Sequence, residues 1–281
     1  MGHKKAALII GNNSAAGKYI GNFLQDQYKI LYGGYSGKFD VFVDLLSRPQ
    51  SIQENLPQID IIINCAAGFG GTDIDNYDAA IINGASAIKI CMLAESCGAT
   101  HILHISSIFA LNTSRDSYYN YYGISKAYGE ALFNHWCSIN NYKLTILRPA
   151  QLYDTKGLFK KHQKLLYNII DKAFKSQDIE LYGTNDAKRN LLFIDDFAEI
   201  VRHAISNSVV GSYNCIGETL TISSIANKSL KRFKSNANFW FNEKKEDIEC
   251  INIPSGELYT DHYPEIPLTS FSEALTKFKS I

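Results

Sequence analysis

Ala6-Ala7-Leu8-Ile9-Ile10-Gly11-Asn12-Asn13-Ser14-Ala15-Ala16-Gly17-Lys18-Tyr19-Ile20-Gly21 is the stretch on which the fold of this chain turns. Five apolar residues in a row predict a strand buried on both faces, and Gly11-Asn12 marks the turn that ends it. From Tyr19 to Gln25 the pattern is helical, with Ile20, Phe23 and Leu24 facing inward. Small residues between strand and helix let the backbone approach a pyrophosphate, and a helix N-terminus favours an anion through its N–H groups and its dipole. Gly21 lets the helix pack closely on a sheet. The glycine spacing matches neither G-x-G-x-x-G nor G-x-x-G-x-x-G, and read alone the segment is an ordinary glycine-containing turn.

Working outward, Tyr28 to Tyr32 and Phe39 to Val43 predict two further strands, too close in sequence for a helix between them. Ile59 to Asn64 predicts a strand buried on both faces, Ala79 to Cys97 a helix, and His101 to Ser106 a strand. Tyr122 to Ile139 predicts a long helix, and Leu144 to Leu147 a strand ending at Arg148-Pro149. Strands alternating with helices imply an α/β fold with a doubly wound parallel sheet. Beyond residue 150 the regularity loosens. A helix around His162 to Lys175, a strand at Ile179 to Tyr182, a short strand and helix within Asn190 to Ser206, and a strand at Gly211 to Ile216 are expected. The tail from Leu220 reads as mixed, with a last helix at Ser270 to Phe278.

The 281 residues suffice for one large domain, or for one domain carrying a smaller lobe. With 28 basic and 28 acidic residues the formal charge is zero, so no general attraction to nucleic acid or to an anionic membrane is expected. Six scattered cysteines show no paired metal spacing and suit reduced thiols in a cytoplasmic protein. The apolar run after the N-terminal lysines is too short for a signal peptide, and no run reads as long enough to span a bilayer.

The second predicted strand ends in Tyr32-Gly33-Gly34-Tyr35-Ser36-Gly37-Lys38, without an acid to grip a ribose 2′-hydroxyl. Ser36 and Lys38 can receive a 2′-phosphate there, which tilts the reading toward NADP. Asp44 is placed either to accept from an adenine amino group or to cap its own loop. Asn64-Cys65-Ala66-Ala67 ends the next strand with small residues. Tyr122 and Lys126 stand at i and i+4 and share a helix face, so the ammonium is expected to lower the phenol's pKa from its usual value near ~10. That suits Tyr122 to shuttle a proton, with Ser107 nearby upstream. His101 and His104 point to opposite faces of a strand, so no metal site is expected.

Taken in order, these pieces resemble the extended short-chain dehydrogenase/reductase family, in its NAD-dependent epimerase/dehydratase group acting on nucleotide sugars. The resemblance rests on the glycine-containing turn, Asp44-Leu45, Asn64-Cys65-Ala66-Ala67, Asn83-Gly84, His104-Ile105-Ser106-Ser107, and Tyr122-Gly123-Ile124-Ser125-Lys126 with Glu130. It continues through Leu147-Arg148-Pro149 with Tyr153, Arg189-Asn190 before Asp195-Asp196, and Tyr213-Asn214. It implies a Rossmann domain at 1–153, with 186–216 returning to it, and a smaller mixed α/β substrate lobe from 154–185 and 217–281. It implies an NADP or NAD site built from Gly11, Asn13, Ser14, Ala15, Gly17, Lys18, Tyr19 and Ile20, then Ser36, Lys38, Asp44 and Leu45. Cys65, Ala66, Ala67, Asn83, Tyr122, Lys126 and Pro149 complete that site.

By the same resemblance Tyr122 is the acid/base, Lys126 holds the nicotinamide ribose, and Ser107 bonds the reacting substrate oxygen. Arg189 clamps the diphosphate, as a permanently charged fork can. Ser106 is expected to face away from the site. The family's dehydratases carry Asp-Glu directly after the catalytic serine or threonine; here Ile108-Phe109 stand there, which disfavours dehydration and favours a 4-ketoreductase or an epimerase. The short connection between the second and third strands leans the reading toward reductase. Two alternatives stay open: an NADP-dependent reductase of a non-sugar carbonyl, and a non-catalytic dinucleotide sensor. A homodimer through Ala79 to Cys97 and Tyr122 to Ile139 is a further implication.

Overall fold

The computed structural model describes residues 4–48 and 56–279; the expected domain limits at residues 1 and 281 lie outside them. The chain forms two compact units. One comprises Met1–Pro149, Ala198–Asn214 and Pro254–Asp261, and the other Ala150–Phe197, Cys215–Ile253 and His262–Ile281.

The first unit begins with β1 (Ala6–Ile10), α1 (Ala15–Leu24), β2 (Lys29–Gly34), β3 (Val41–Phe42) and β4 (Ile61–Asn64). A helical stretch follows as α2 (Asp73–Ala80), a π-helical turn (Ile81–Ala85) and α3 (Ser86–Cys97). Then come β5 (His101–Ile105), a 3-10 turn (Ile108–Leu111), α4 (Tyr121–Ile139) and β6 (Lys143–Pro149). The seven-stranded sheet runs in the order Gly211–Cys215, β6, β5, β4, β1, β2, β3. The pairings from β6 through β3 are parallel, as the alternation of strands and helices led one to expect. The order reverses between β1 and β4, and in such sheets ligands bind outside the strands' carboxyl ends at the reversal. Registers Ile10↔Asn64 and Asn64↔His104 carry Gly11, Cys65 and Ser106 to that one rim.

Central strands are buried on both faces because helices cover both sides. Ile90, Cys91 and Ala94 of α3 pack into one core with Leu8, Ile62, Ile102 and Ile146 of the sheet. Helix starts are set by local chemistry. Ser14 Oγ accepts from Gly17 N at 2.9 Å to cap α1, and Thr72 with Asp75 forms a capping box on α2. That box begins the helix at Asp73, six residues before the expected start. The whole stretch 73–97 is long and apolar enough to cross a bilayer, contrary to the expectation from sequence. Only 56% of its apolar window is buried, including Ile90, Cys91 and Ala94, which pack in the core with the sheet. At the π-helical turn a Cβ on Gly129 would lie 2.1 Å from Asn83 O, so α4 and this turn meet backbone to backbone.

The second unit contains β7 (Gln151–Tyr153), α5 (Lys164–Phe174), β8 (Ile179–Tyr182) and β9 (Lys188–Phe193). The chain passes between units along α6 (Ile194–Ser206), and β10 (Gly211–Cys215) is the edge strand of the large sheet. There follow β11 (Glu218–Thr221), α7 (Ile222–Phe233), β12 (Phe239–Asn242), α8 (Tyr259–His262), which lies in the first unit up to Asp261, and α9 (Phe271–Thr276). A three-stranded sheet orders β11, β9 and β7, with β11 antiparallel and β7 parallel to β9. β12 pairs in parallel with β8. Helix α7 and strand β12 lie in the tail that the sequence left as mixed. β12 is defined by a partner some sixty residues away, which a local pattern does not reveal.

Candidate active site

Gly11 ends β1 with φ +90°, and a Cβ there would stand 2.7 Å from Ala66 N. A Cβ on Gly17 would stand 2.6 Å from Gly11 O. Glycine is therefore required at both positions, and the turn lies flat against the end of β4. Ala15 and Ala16 add no bulk to the first turn of α1, whose leading N–H groups have no partner within a helix. Such a bare backbone cradle fits a dinucleotide pyrophosphate without a regular glycine motif. Lys18 is exposed, Tyr19 half-buried, and Ile20 has its side chain in the core.

The same turn is tied to the end of β2. Asn12 Nδ2 donates to Ser36 O at 3.1 Å and Lys38 O at 2.9 Å, and Asn13 Nδ2 donates to Ser36 Oγ at 3.2 Å. Ser36 and Lys38 are thus held beside Asn13. Asp44 lies two residues past β3, its Oδ1 accepting from Leu46 N at 3.0 Å, and Leu45 is core. Pro149 ends β6 and is buried.

Tyr122 occupies the first turn of α4, capped by Asn120 Oδ1 accepting from Gly123 N at 3.0 Å. Its phenol is hydrogen-bonded with the Ser107 hydroxyl, beyond the end of β5. One turn on, Lys126 Nζ donates to Ala66 O at 3.1 Å and Ile105 O at 3.0 Å, so it joins α4 to the ends of β4 and β5. Burial pushes the Lys126 ammonium down to about 8, opposed by Cys65 and Glu130. Burial likewise pushes the Tyr122 phenol up to about 12, opposed by the bond to Ser107. The lowered phenol expected from the i, i+4 spacing is not found. Desolvation outweighs the ammonium, whose donors are directed to two carbonyls.

A further turn along, Glu130 accepts from Ser106 Oγ at 2.5 Å and, on Oε1, from Arg148 Nε at 2.9 Å. Ser106, expected to face away from the site, bonds into this ion pair. Asn83 donates to Gly68 O at 2.6 Å and Ser125 Oγ at 2.9 Å, and accepts from Gly68 N at 2.9 Å. Just past Gly68, Phe69 stacks on Tyr122 with centroids 5.1 Å apart and planes 10° apart. His101 and His104 are engaged separately, with Thr145 Oγ1 at 2.7 Å and Asn64 Nδ2 at 3.0 Å.

The model of the NAD dependent epimerase/dehydratase family matches residues 7–215. The chain belongs to this family. It is similar to CDP-abequose synthase of Yersinia pseudotuberculosis, 27% identical over 179 residues, which is 62% of this chain and 60% of that relative. The chain thus spans less than two thirds of the curated relative it matches. Among solved structures, dTDP-4-dehydrorhamnose reductase from Bacillus anthracis str. Ames, in complex with NADP, has a TM-score of 0.75 at 18% identity over 99% of this chain and 98% of that one. UDP-glucuronic acid 4-epimerase from Bacillus cereus, in complex with NAD, has a TM-score of 0.72 at 16% identity over 97% of each chain. At these identities the likeness is one of fold.

Arg189 belongs to the second unit and is 8% exposed. Its Nη1 donates to Lys188 O at 2.8 Å and Glu249 O at 2.7 Å. It lines a small cavity with Gln151, Gln163, Leu165, Leu166 and Leu191. Gln151 Nε2 donates to Gln163 Oε1 at 2.8 Å, while Gln151 Oε1 is buried with no hydrogen-bond partner among the described residues. The contacts of Gln151, Gln163 and Phe69 were not legible in sequence, since each depends on a residue remote along the chain. Glu130 had one signal, its place eight residues after Tyr122 on the same helical face.

Proposed function

We propose that this enzyme reduces a keto group on the sugar ring of a nucleotide sugar, with Tyr122 as the proton donor. The observation that carries the reading is the Tyr122–Ser107 hydrogen bond, one helical turn before buried Lys126, with the phenol protonated up to about 12. A protonated phenol can give a proton to a carbonyl oxygen becoming a hydroxyl. Ser107 bonds that same oxygen and orients it toward Tyr122. Lys126 holds the ends of β4 and β5 together beside α4. A nicotinamide dinucleotide on the Gly11–Gly17 cradle supplies the hydride when bound. Gly11, Gly17 and the first turn of α1 would hold its pyrophosphate, Ser36 and Lys38 a 2′-phosphate, and Asp44 the adenine.

Dehydration is disfavoured because Ile108 and Phe109, after Ser107, have no proton to move. Reduction is preferred to epimerisation on the short connection between β2 and β3. The cavity beside Arg189 supports the substrate class. The Arg189 guanidinium is a permanently charged fork of the kind that pairs with a phosphate. A homodimer is part of the proposal. Ile74, Tyr77, Ile88 and Met92 on the stretch 73–97, with Ile124 and Tyr128 on α4, leave large apolar side chains exposed. A monomeric mass in solution would remove it.

The test is binding of NADPH, NADH and UDP-, dTDP-, CDP- and GDP-sugars to the purified protein, read as thermal shifts. A dinucleotide shift together with a sugar-nucleotide shift that shrinks in Arg189→Ala is expected. A dinucleotide shift alone, indifferent to every sugar nucleotide, points to a non-sugar carbonyl substrate. Absence of any dinucleotide shift or retained dinucleotide overturns the proposal.

A further inference from the structure

Lys89 is a charged residue on the core-facing side of α3, next to Ile90 and only 4% exposed. Its ammonium reaches out of the helix to a single turn of chain, the one that follows β3. Nζ donates to Asp44 O at 2.7 Å, to Ser47 Oγ at 2.7 Å and to Arg48 O at 3.3 Å. Ser47 Oγ in turn donates to Asp44 O at 2.9 Å, and Asp44 Oδ1 accepts from Leu46 N at 3.0 Å. The ammonium and these short bonds set the backbone of 44–48 in one shape.

A buried ammonium is costly unless its donors are met, and here the oxygens of one turn meet them. Methionine would fill similar space in the core without that cost, but it would take the ammonium's hydrogen bonds away from Asp44 O, Ser47 Oγ and Arg48 O. The need for a clamp follows from the sheet. β3 has two residues, paired to β2 only through Gly33↔Val41 and Gly34↔Phe42, so hydrogen bonding along the strand gives the following turn little anchorage. Yet that turn carries Asp44, the residue assigned above to adenine. Lys89 supplies from the neighbouring helix the anchorage that the short strand lacks.

We infer that Lys89 is a positioning residue for the adenosine end of the dinucleotide, fixing the Asp44–Arg48 turn through its carbonyls; this rests on the cofactor site proposed above. The contribution is local to one end of the cofactor. It acts through the turn and not through contact with the reacting atoms.

The experiment compares the whole chain with its Lys89→Met and Ser47→Ala variants by calorimetry. The probes are NADPH, NADH, ADP-ribose and reduced nicotinamide mononucleotide, and the melting temperature of each variant is recorded. Lys89→Met is expected to weaken the dinucleotides and ADP-ribose about tenfold while leaving the mononucleotide, which lacks adenosine, within about twofold, a difference of about 1.4 kcal/mol at one end of the ligand. Ser47→Ala, which removes one of the clamp's oxygens, should show the same pattern at smaller size. If Lys89→Met does not fold, Ser47→Ala alone decides. Equal losses for all four probes, or none, overturn the positioning role while wild-type binding leaves the cofactor site standing. A wild-type chain that binds no dinucleotide removes both.

Discussion

The site around Tyr122 in the first unit and the cavity around Arg189 in the second use their polar atoms in opposite ways. Ser107, Tyr122, Lys126, Glu130 and Arg148 are bonded to one another or to strand ends before any substrate is present. In the Arg189 cavity one guanidinium nitrogen is engaged by backbone, and a buried glutamine oxygen has no partner among the described residues. Under the proposed function the contrast follows from what each region is asked to do. A group that transfers a proton must be held in place in advance, whereas a recognition pocket needs donors and acceptors left over for its ligand.

The strongest way to break this comparison is Tyr122→Phe. It should lower kcat about 10³-fold while leaving the dinucleotide affinity unchanged, since only the proton is lost. Retained turnover would mean that the bonded cluster is architecture. Next in size, Glu130→Ala leaves Arg148 buried opposite nothing and Ser106 without its acceptor. Urea unfolding should show a loss of about 3–5 kcal/mol, with Glu130→Gln losing less. An unchanged midpoint would show that the cluster is not held by this pair.

Lys126 sharpens the comparison through pH. Its ammonium ionises near 8 in the folded chain, below the ordinary lysine value of 10.5. Between those values the unfolded chain holds more protons, so stability rises with pH in that window. From pH 8 to 9.5 the unliganded protein should gain on the order of 2 kcal/mol relative to Lys126→Met at the same pH values. Parallel stability curves for the two proteins would contradict the buried placement of the ammonium. The smallest effect is expected in the cavity. Arg189→Ala should raise the KM for the nucleotide sugar about tenfold, with kcat within a few-fold, because recognition there is shared with Gln151 and Gln163. A fall in kcat with KM unchanged would move Arg189 into the chemistry and erase the contrast.

Most of the first unit was legible beforehand, and the second much less so. β1, β4 and β5 are unbroken apolar runs, and a parallel sheet with helices on both faces is what such runs require. The candidate proton-transfer residues were legible because helical spacing alone puts Tyr122 and Lys126 on one face. In the second unit, β12 exists as a strand only through β8, and the Gln151–Gln163 contact joins β7 to the start of α5. Neither leaves a period in the sequence. The short-range misreading was the phenol itself. Spacing supplied an ammonium nearby but not the burial that reverses its effect, nor the carbonyls of Ala66 and Ile105 that take up its donors.

Sequence alone determined the alternation of strands and helices, the helix face shared by Tyr122 and Lys126, the small residues at the strand ends, and the family they compose. These are properties of neighbours along the chain, set by backbone periodicity and side-chain size. Tertiary structure alone decided that Gly11 and Gly17 admit no side chain, that Lys89 clamps the turn bearing Asp44, that Glu130 meets Ser106 and Arg148, and that Tyr122 stays protonated. Each depends on distances between residues far apart in sequence and on how completely water is removed from between them, and no local pattern encodes either.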